Sequence, residues 1–259
     1  MGACCGTSKK PKSDSTQMKK TNVEDNATEE KKEVQKEKEN IIESPPKEEQ
    51  FIVNYEEKLE FVQLKSRDII SALAAEGMEG LLSKPQLKRA FMTLELTDEA
   101  LTSPDASFYK ILSKVKNEKK LYEVRKLSLL GILIGKGATK GKVSSLFKLY
   151  DPENSESLDA AKVELMFNEI ADLCANILPI IAIGEGDEYC TKEEIEGYIE
   201  LLNKGKEKAL QKVKAVLMDG DSISESDFVT KVSDSELPLK SLLSSSGARA
   251  FIWQFSKSN

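Results

Sequence analysis

The sequence predicts an all-α protein of helix–loop–helix units behind a disordered amino-terminal tail. Three observations carry this reading. Beyond about residue 50, apolar residues recur at helical spacing through most of the chain. Leu, Lys and Glu are plentiful, while aromatics make up 6% of the 259 residues. The helical stretches are separated by short polar loops, each broken by one apolar residue.

Residues 1–50 form the tail. They are poor in apolar residues and rich in Lys and Glu, a composition that cannot bury enough surface to offset the entropy of ordering. The chain opens Met1-Gly2-Ala3-Cys4-Cys5-Gly6-Thr7-Ser8. Removal of Met1 leaves Gly2 among small residues, the shape of an N-myristoylation substrate, although Gly6 stands where Ser or Thr is usual. One myristoyl chain holds a membrane with a constant on the order of 10⁴ M⁻¹, so a second signal is needed. Cys4 and Cys5 supply it as palmitoylation sites, and Lys9, Lys10, Lys12, Lys19 and Lys20 add charge for an acidic leaflet. The expectation is a peripheral, lipid-anchored protein on the cytoplasmic face of a membrane. No secretory signal and no apolar run of spanning length is read from the sequence.

Residues 51–135 read as a first pair of units. Ile69, Ile70 and Leu73 make an apolar helical face, a loop follows with Gly80 and Leu82, and Ser83 caps the next helix. Phe108, Ile111, Leu112 and Val115 make the next face. A lysine-rich loop, Lys116-Asn117-Glu118-Lys119-Lys120, leads to Leu121 as its apolar residue, and Val124 to Ile134 is the exiting helix.

Residues 136–235 read as a second pair. Val143, Leu146, Phe147 and Tyr150 share one face, and so do Val163, Met166, Phe167 and Ile170. Leu158 interrupts the polar loop between them. Leu173 to Ile183 continues as an apolar stretch interrupted by Pro179, and Thr191-Lys-Glu-Glu194 opens a long helix with a capping box. That helix reaches Met218-Asp-Gly-Asp-Ser-Ile223-Ser-Glu-Ser-Asp227-Phe, where Ile223 is the bridging residue.

The run Leu146-Phe147-Lys-Leu-Tyr-Asp151, the loop after it and the helix opening near Asp159 resemble the EF-hand superfamily. The second half resembles the third and fourth hands of the neuronal calcium sensors and calcineurin-B-like proteins, which are often N-acylated. The resemblance implies up to four EF-hand-like units joined in pairs through short β-bridges. A calcium loop of this type needs oxygens at positions one, three, five, seven and nine, Gly at six and a bidentate Glu at twelve. In the third hand Asp151, Glu153, Ser155 and Asp159 supply oxygens, but Glu156 stands at six and Lys162 at twelve. In the fourth, Asp219 and Asp221 precede Ile223, and Asp227 takes the place of Glu. Gln86 and Arg125 stand at position twelve of the first two. No tight calcium site, and no other cofactor, is expected.

Function classes narrow accordingly. The chain contains no His, the commonest general base. Gly135-Lys-Gly-Ala-Thr-Lys-Gly141-Lys-Val143 fails the phosphate-loop spacing and lacks its Ser or Thr. An enzyme is not expected. A net charge of −6 without a basic stripe of interleaved aromatics argues against nucleic acid. The reading is a signalling adaptor that binds a protein partner, an amphipathic helix being the ligand such paired hands receive. The alternative is a calcium sensor with one weak hand that regulates a target protein.

Residues 236–259 close the chain. Leu239, Leu242 and Leu243 lie on one helical face, and Phe251, Ile252 and Phe255 on another after a break at Gly247. An apolar cluster of this size, with Trp253 inside it, is expected to be buried. It docks either as an internal ligand, as the resemblance implies, or as part of the core of the last pair.

Overall fold

Four helix–loop–helix units, tied in two pairs by two-stranded antiparallel ladders, make up the described chain. The computed structural model describes residues 45–184, 189–234 and 238–257. Gly2, Cys4 and Cys5 lie outside them. Helix α1 spans Lys47–Glu56, so the last residues assigned to the tail, from Lys47 to Gln50, are helical. A 3₁₀ turn, Glu60–Gln63, leads to the first unit, which is α2 (Ser66–Glu76), β1 (Leu81–Leu82) and α3 (Lys84–Thr93). A short α4 (Glu99–Thr102) precedes the second: α5 (Ser107–Lys114), β2 (Tyr122–Glu123) and α6 (Val124–Ile134). The third is α7 (Thr139–Tyr150), β3 (Ser157–Asp159) and α8 (Ala160–Asp172), continued by a π turn, Leu173–Ile177, and α9 (Ile180–Ile183). The fourth is α10 (Lys192–Leu217), β4 (Ser222–Ser224) and α11 (Glu225–Ser233). A 3₁₀ segment, Pro238–Leu243, and α12 (Ser245–Ser256) follow.

The ladders form because each strand exposes its backbone at the end of a loop and finds an equally short partner. Leu82 sits opposite Tyr122, and Leu158 opposite Ile223. All four side chains are buried, so each ladder anchors its loops to the core through one apolar pair. The second pair has the expected bridging residues. The first differs by one: Tyr122, not Leu121, is the buried partner of Leu82. The backbone explains the choice. Gly80, Lys120 and Glu156 all have positive φ, and each stands two residues before its bridging side chain. Only the register with Tyr122 gives the second loop the turn shape of the first and third.

Helix starts follow local chemistry. Gln86 Oε1 accepts from the Ser83 backbone N–H at 2.8 Å. Glu194 accepts from the Thr191 N–H at 3.0 Å, and Thr191 accepts in return from the Glu194 N–H at 3.3 Å. Asp159 caps α8 by accepting from the Lys162 N–H at 2.7 Å. Each satisfies donors that a helix start leaves without partners.

One apolar core runs through both pairs. Phe61, Phe91 and Phe108 cluster in the first, with ring centroids 4.7 to 6.0 Å apart, and Phe147 meets Phe228 at 5.5 Å in the second. The stretch Ala160–Ile183 does reach the length and apolarity of a membrane span, contrary to the sequence reading; 67% of its most apolar window is buried inside the bundle.

The chain end packs on α10. The backbone turns at Ser244, which caps α12, so the break lies there and Gly247 falls in the first helical turn. Phe251 and Ile252 are buried, and Trp253 and Phe255 are half-buried. Gly205 makes the approach possible: a Cβ on it would lie 2.4 Å from the Ile252 carbonyl oxygen.

Candidate functional site

The loops are where a ligand would be held, and each is closed by side chains of the chain itself. In the third loop Asp151 is 4% exposed although it is charged. Its carboxylate accepts from the Ser155 N–H at 2.9 Å, the Ser155 hydroxyl at 2.6 Å and the Glu156 N–H at 2.8 Å. The Lys162 ammonium approaches to 3.9 Å. The Ser155 hydroxyl, the backbone donors and Lys162 hold the Asp151 carboxyl below the usual carboxylate range, outweighing its burial. Glu153 points to solvent, and Asp159 is taken up as the α8 cap. Of the four expected oxygen donors, Asp151 and Ser155 meet, but they meet each other.

Asn154 and Glu156 have φ of 53° and 57°, values that Gly takes freely and Asn readily, and that cost a residue such as Glu about 1–2 kcal/mol. The sharp turn therefore persists without its usual residue, because the Asp151 carboxylate gathers the Ser155 and Glu156 amide groups.

The fourth loop follows the same logic. Asp219 is paired with the Lys231 ammonium, which also donates to the Leu217 carbonyl at 3.2 Å. Asp227 accepts from the Ser224 hydroxyl at 2.8 Å while Ser224 accepts from its N–H at 3.2 Å, so this pair caps α11. Asp221 is exposed. The three aspartates are used separately. In the first loop Gln86, besides capping α3, donates to the Glu76 carbonyl at 2.8 Å, which ties the loop's two helices together. In the second, Asn117 Oδ1 accepts from the Leu121 N–H at 3.0 Å. Among the described residues no group of three or more His, Cys, Asp or Glu side chains gathers around a common point.

Arg125 was expected at the closing position of the second loop. With Tyr122 as the bridging residue that position passes to Lys126, which pairs with Glu123 at 3.0 Å. Arg125 instead reaches the other half, with Nε 3.0 Å and Nη2 2.6 Å from the two oxygens of Glu169 on α8. The Tyr150 hydroxyl donates to the same carboxylate at 2.7 Å. Burial, with Glu169 beside it, raises the Tyr150 pKa and keeps the phenol neutral.

A second constellation joins the two ends of the described chain. Arg249 is 0% exposed. Its guanidinium forks onto Glu49 at 2.6 and 2.9 Å and onto Glu56 at 2.6 and 3.1 Å, and Nη1 also donates to the Cys174 carbonyl at 3.3 Å. Tyr198 donates to Glu49 at 3.0 Å and Ser245 to Glu56 at 2.7 Å. Burial alone would lower the Arg249 pKa; Glu56 and Glu49 outweigh it and raise it well above the ordinary value. Sequence reasoning missed this cluster. Its one signal was the spacing of Glu49 and Glu56, two helical turns apart on one face.

The large exposed apolar side chains Met78, Met92, Leu165, Tyr189 and Leu201 lie on different segments. A shallow cavity of 570 Å³ between α7 and α11 is lined by Lys140, Ser144, Ser224, Glu225 and Val229, and within it Ser144 donates to Glu225 at 2.7 Å. No known family, no curated protein and no solved structure matches the chain.

Proposed function

We propose that this protein is a membrane-tethered, EF-hand-like interaction module whose loops are held in shape by its own side chains instead of calcium. The observation that carries the proposal is Lys162. It occupies the place where the superfamily's glutamate would complete a calcium cage, and its ammonium lies 3.9 Å from Asp151. A cation built into the chain leaves little field for a free one. The ladders Leu82–Tyr122 and Leu158–Ile223 support the pairing of four such units.

The acyl chains on Gly2, Cys4 and Cys5 tether the module to the cytoplasmic face of a membrane, and the partner is a protein contributing an amphipathic helix. The chain acts in signalling as an adaptor and has no catalytic role. The two parts of the reading are tested separately. Gly2→Ala should move the full-length protein from the membrane fraction to the soluble one, and Cys4→Ser with Cys5→Ser should leave only the weak hold of one acyl chain. Either variant remaining as firmly bound as the native chain would refute the anchor. Calcium calorimetry tests the loops.

A further inference from the structure

Five lysine ammonium groups gather around the first pair of loops. Leu82 faces Tyr122 across an antiparallel ladder; Lys84, the first residue of α3, follows Leu82 by two residues, and Lys120 precedes Tyr122 by two. Lys119 and Lys120 stand at the loop tip, and Lys114 and Lys116 lead into it. Lys84, Lys114, Lys119 and Lys120 are exposed; Lys116 is half-buried, its ammonium 5.0 Å from the centre of the Tyr122 ring. None of the five forms an ion pair among the described residues, whereas Lys47, Arg89 and Lys214 are matched by Glu194, Glu76 and Glu164. One carboxylate, Glu118, accompanies the four lysines of residues 114–120. On a chain of net charge −6 this is a concentrated excess of positive charge.

The turn that presents it is fixed. Lys120 has φ 61°, its N–H donates to the Asn117 carbonyl at 2.9 Å, and the Asn117 side chain accepts from Leu121. The ammonium groups are thus carried on a pinned turn, a ladder and a helix start, and binding an anion would require little further backbone ordering.

We propose that this lysine-bearing end of the β1–β2 loop pair docks on an anionic lipid leaflet and turns the folded unit so that this end faces the membrane. The proposal rests on the membrane-tether reading for its location, since a tether brings the cluster to within reach of a bilayer. The chemistry fits a leaflet better than a single phosphate group. The cations are flexible ammonium point charges with no guanidinium fork among them, spread over loop tips, which suits a diffuse field of acidic headgroups. Each lysine near such a surface strengthens partition roughly five-fold, and only within about a Debye length of it, ~10 Å at 0.1 M salt.

The test uses the full chain carrying Gly2→Ala, so that acylation contributes nothing, with and without Lys84, Lys116, Lys119 and Lys120 all changed to Gln. Co-sedimentation is measured with vesicles of phosphatidylcholine alone and with added phosphatidylserine. The chain with its lysines should bind the phosphatidylserine vesicles and release them as salt rises. The Gln variant should bind them roughly a hundred-fold or more weakly, and neither should bind phosphatidylcholine. A Lys→Arg version should bind like the native chain, and unchanged melting of all versions separates lost binding from lost folding. The tail lysines are present in every version, so equal affinity with and without the Gln changes would overturn the proposal. Preferential binding of duplex DNA or polyglutamate over the acidic vesicles would overturn the lipid assignment. Failure of Gly2→Ala to release the protein in cells speaks only to the tether, so the two readings fail independently.

Discussion

Arg249 and Glu49 stand 200 residues apart in sequence and meet in a buried two-pronged ion pair, Nε to Oε2 at 2.6 Å and Nη2 to Oε1 at 2.9 Å. Together with Glu56, this contact fastens α12 to α1, the helix that follows the tail.

Removing one member of such a cluster leaves the others charged and without compensation. Arg249→Ala should cost about 3–5 kcal/mol of unfolding free energy in urea denaturation, a large part of the 5–15 kcal/mol typical of a domain. Arg249→Lys should lie between the two, because an ammonium supplies the charge without the fork. An Arg249→Ala protein as stable as the native chain would mean that Glu49 and Glu56 are not charged partners in the folded state.

Truncation after Ser246 removes the same guanidinium together with Phe251 and Ile252, both buried. The shortened chain should lose its cooperative melting transition, and a peptide of residues 244–257 should restore it in trans. Cooperative melting of the shortened chain on its own would show α12 to be an internal ligand lying on a complete core.

The third loop predicts an acid sensitivity whose sign follows from Asp151. Its folded pKa is depressed, first through the Ser155 hydroxyl and then through the backbone donors and Lys162. A depressed carboxyl contributes stability that is fully present above its unfolded pKa, about 3.9, and is lost as pH falls through the folded value. Melting temperature should therefore fall below about pH 4 in the native chain and fall less steeply in Asp151→Asn. Parallel pH profiles for the two proteins would remove Asp151 from the account.

What could be read from sequence was what local chemistry decides. Leu82, Leu158 and Ile223 were legible because a lone apolar residue in a polar loop has one place to go, and Ser83 and Thr191 because caps depend on residues three positions on. Tyr122 was misplaced by one residue because Leu121 and Tyr122 are both apolar and the lysine-rich loop before them supplies no other anchor. The positive φ at Lys120 that settles the register is a tertiary outcome. Arg125 turned away from its loop for a related reason: the carboxylate it satisfies, Glu169, belongs to the other half. Arg249 itself carried no signal, since the carboxylates it satisfies, Glu49 and Glu56, lie 200 and 193 residues away.

Isothermal titration of the full-length chain with calcium tests the central claim most directly, because it asks whether Lys162 and Lys231 have taken over the work of a bound ion. The account predicts no saturable heat in the micromolar range and a melting temperature indifferent to calcium or chelator. A sub-micromolar site, or a calcium-dependent rise in melting temperature that Asp151→Asn abolishes, would contradict it and make the protein a calcium sensor.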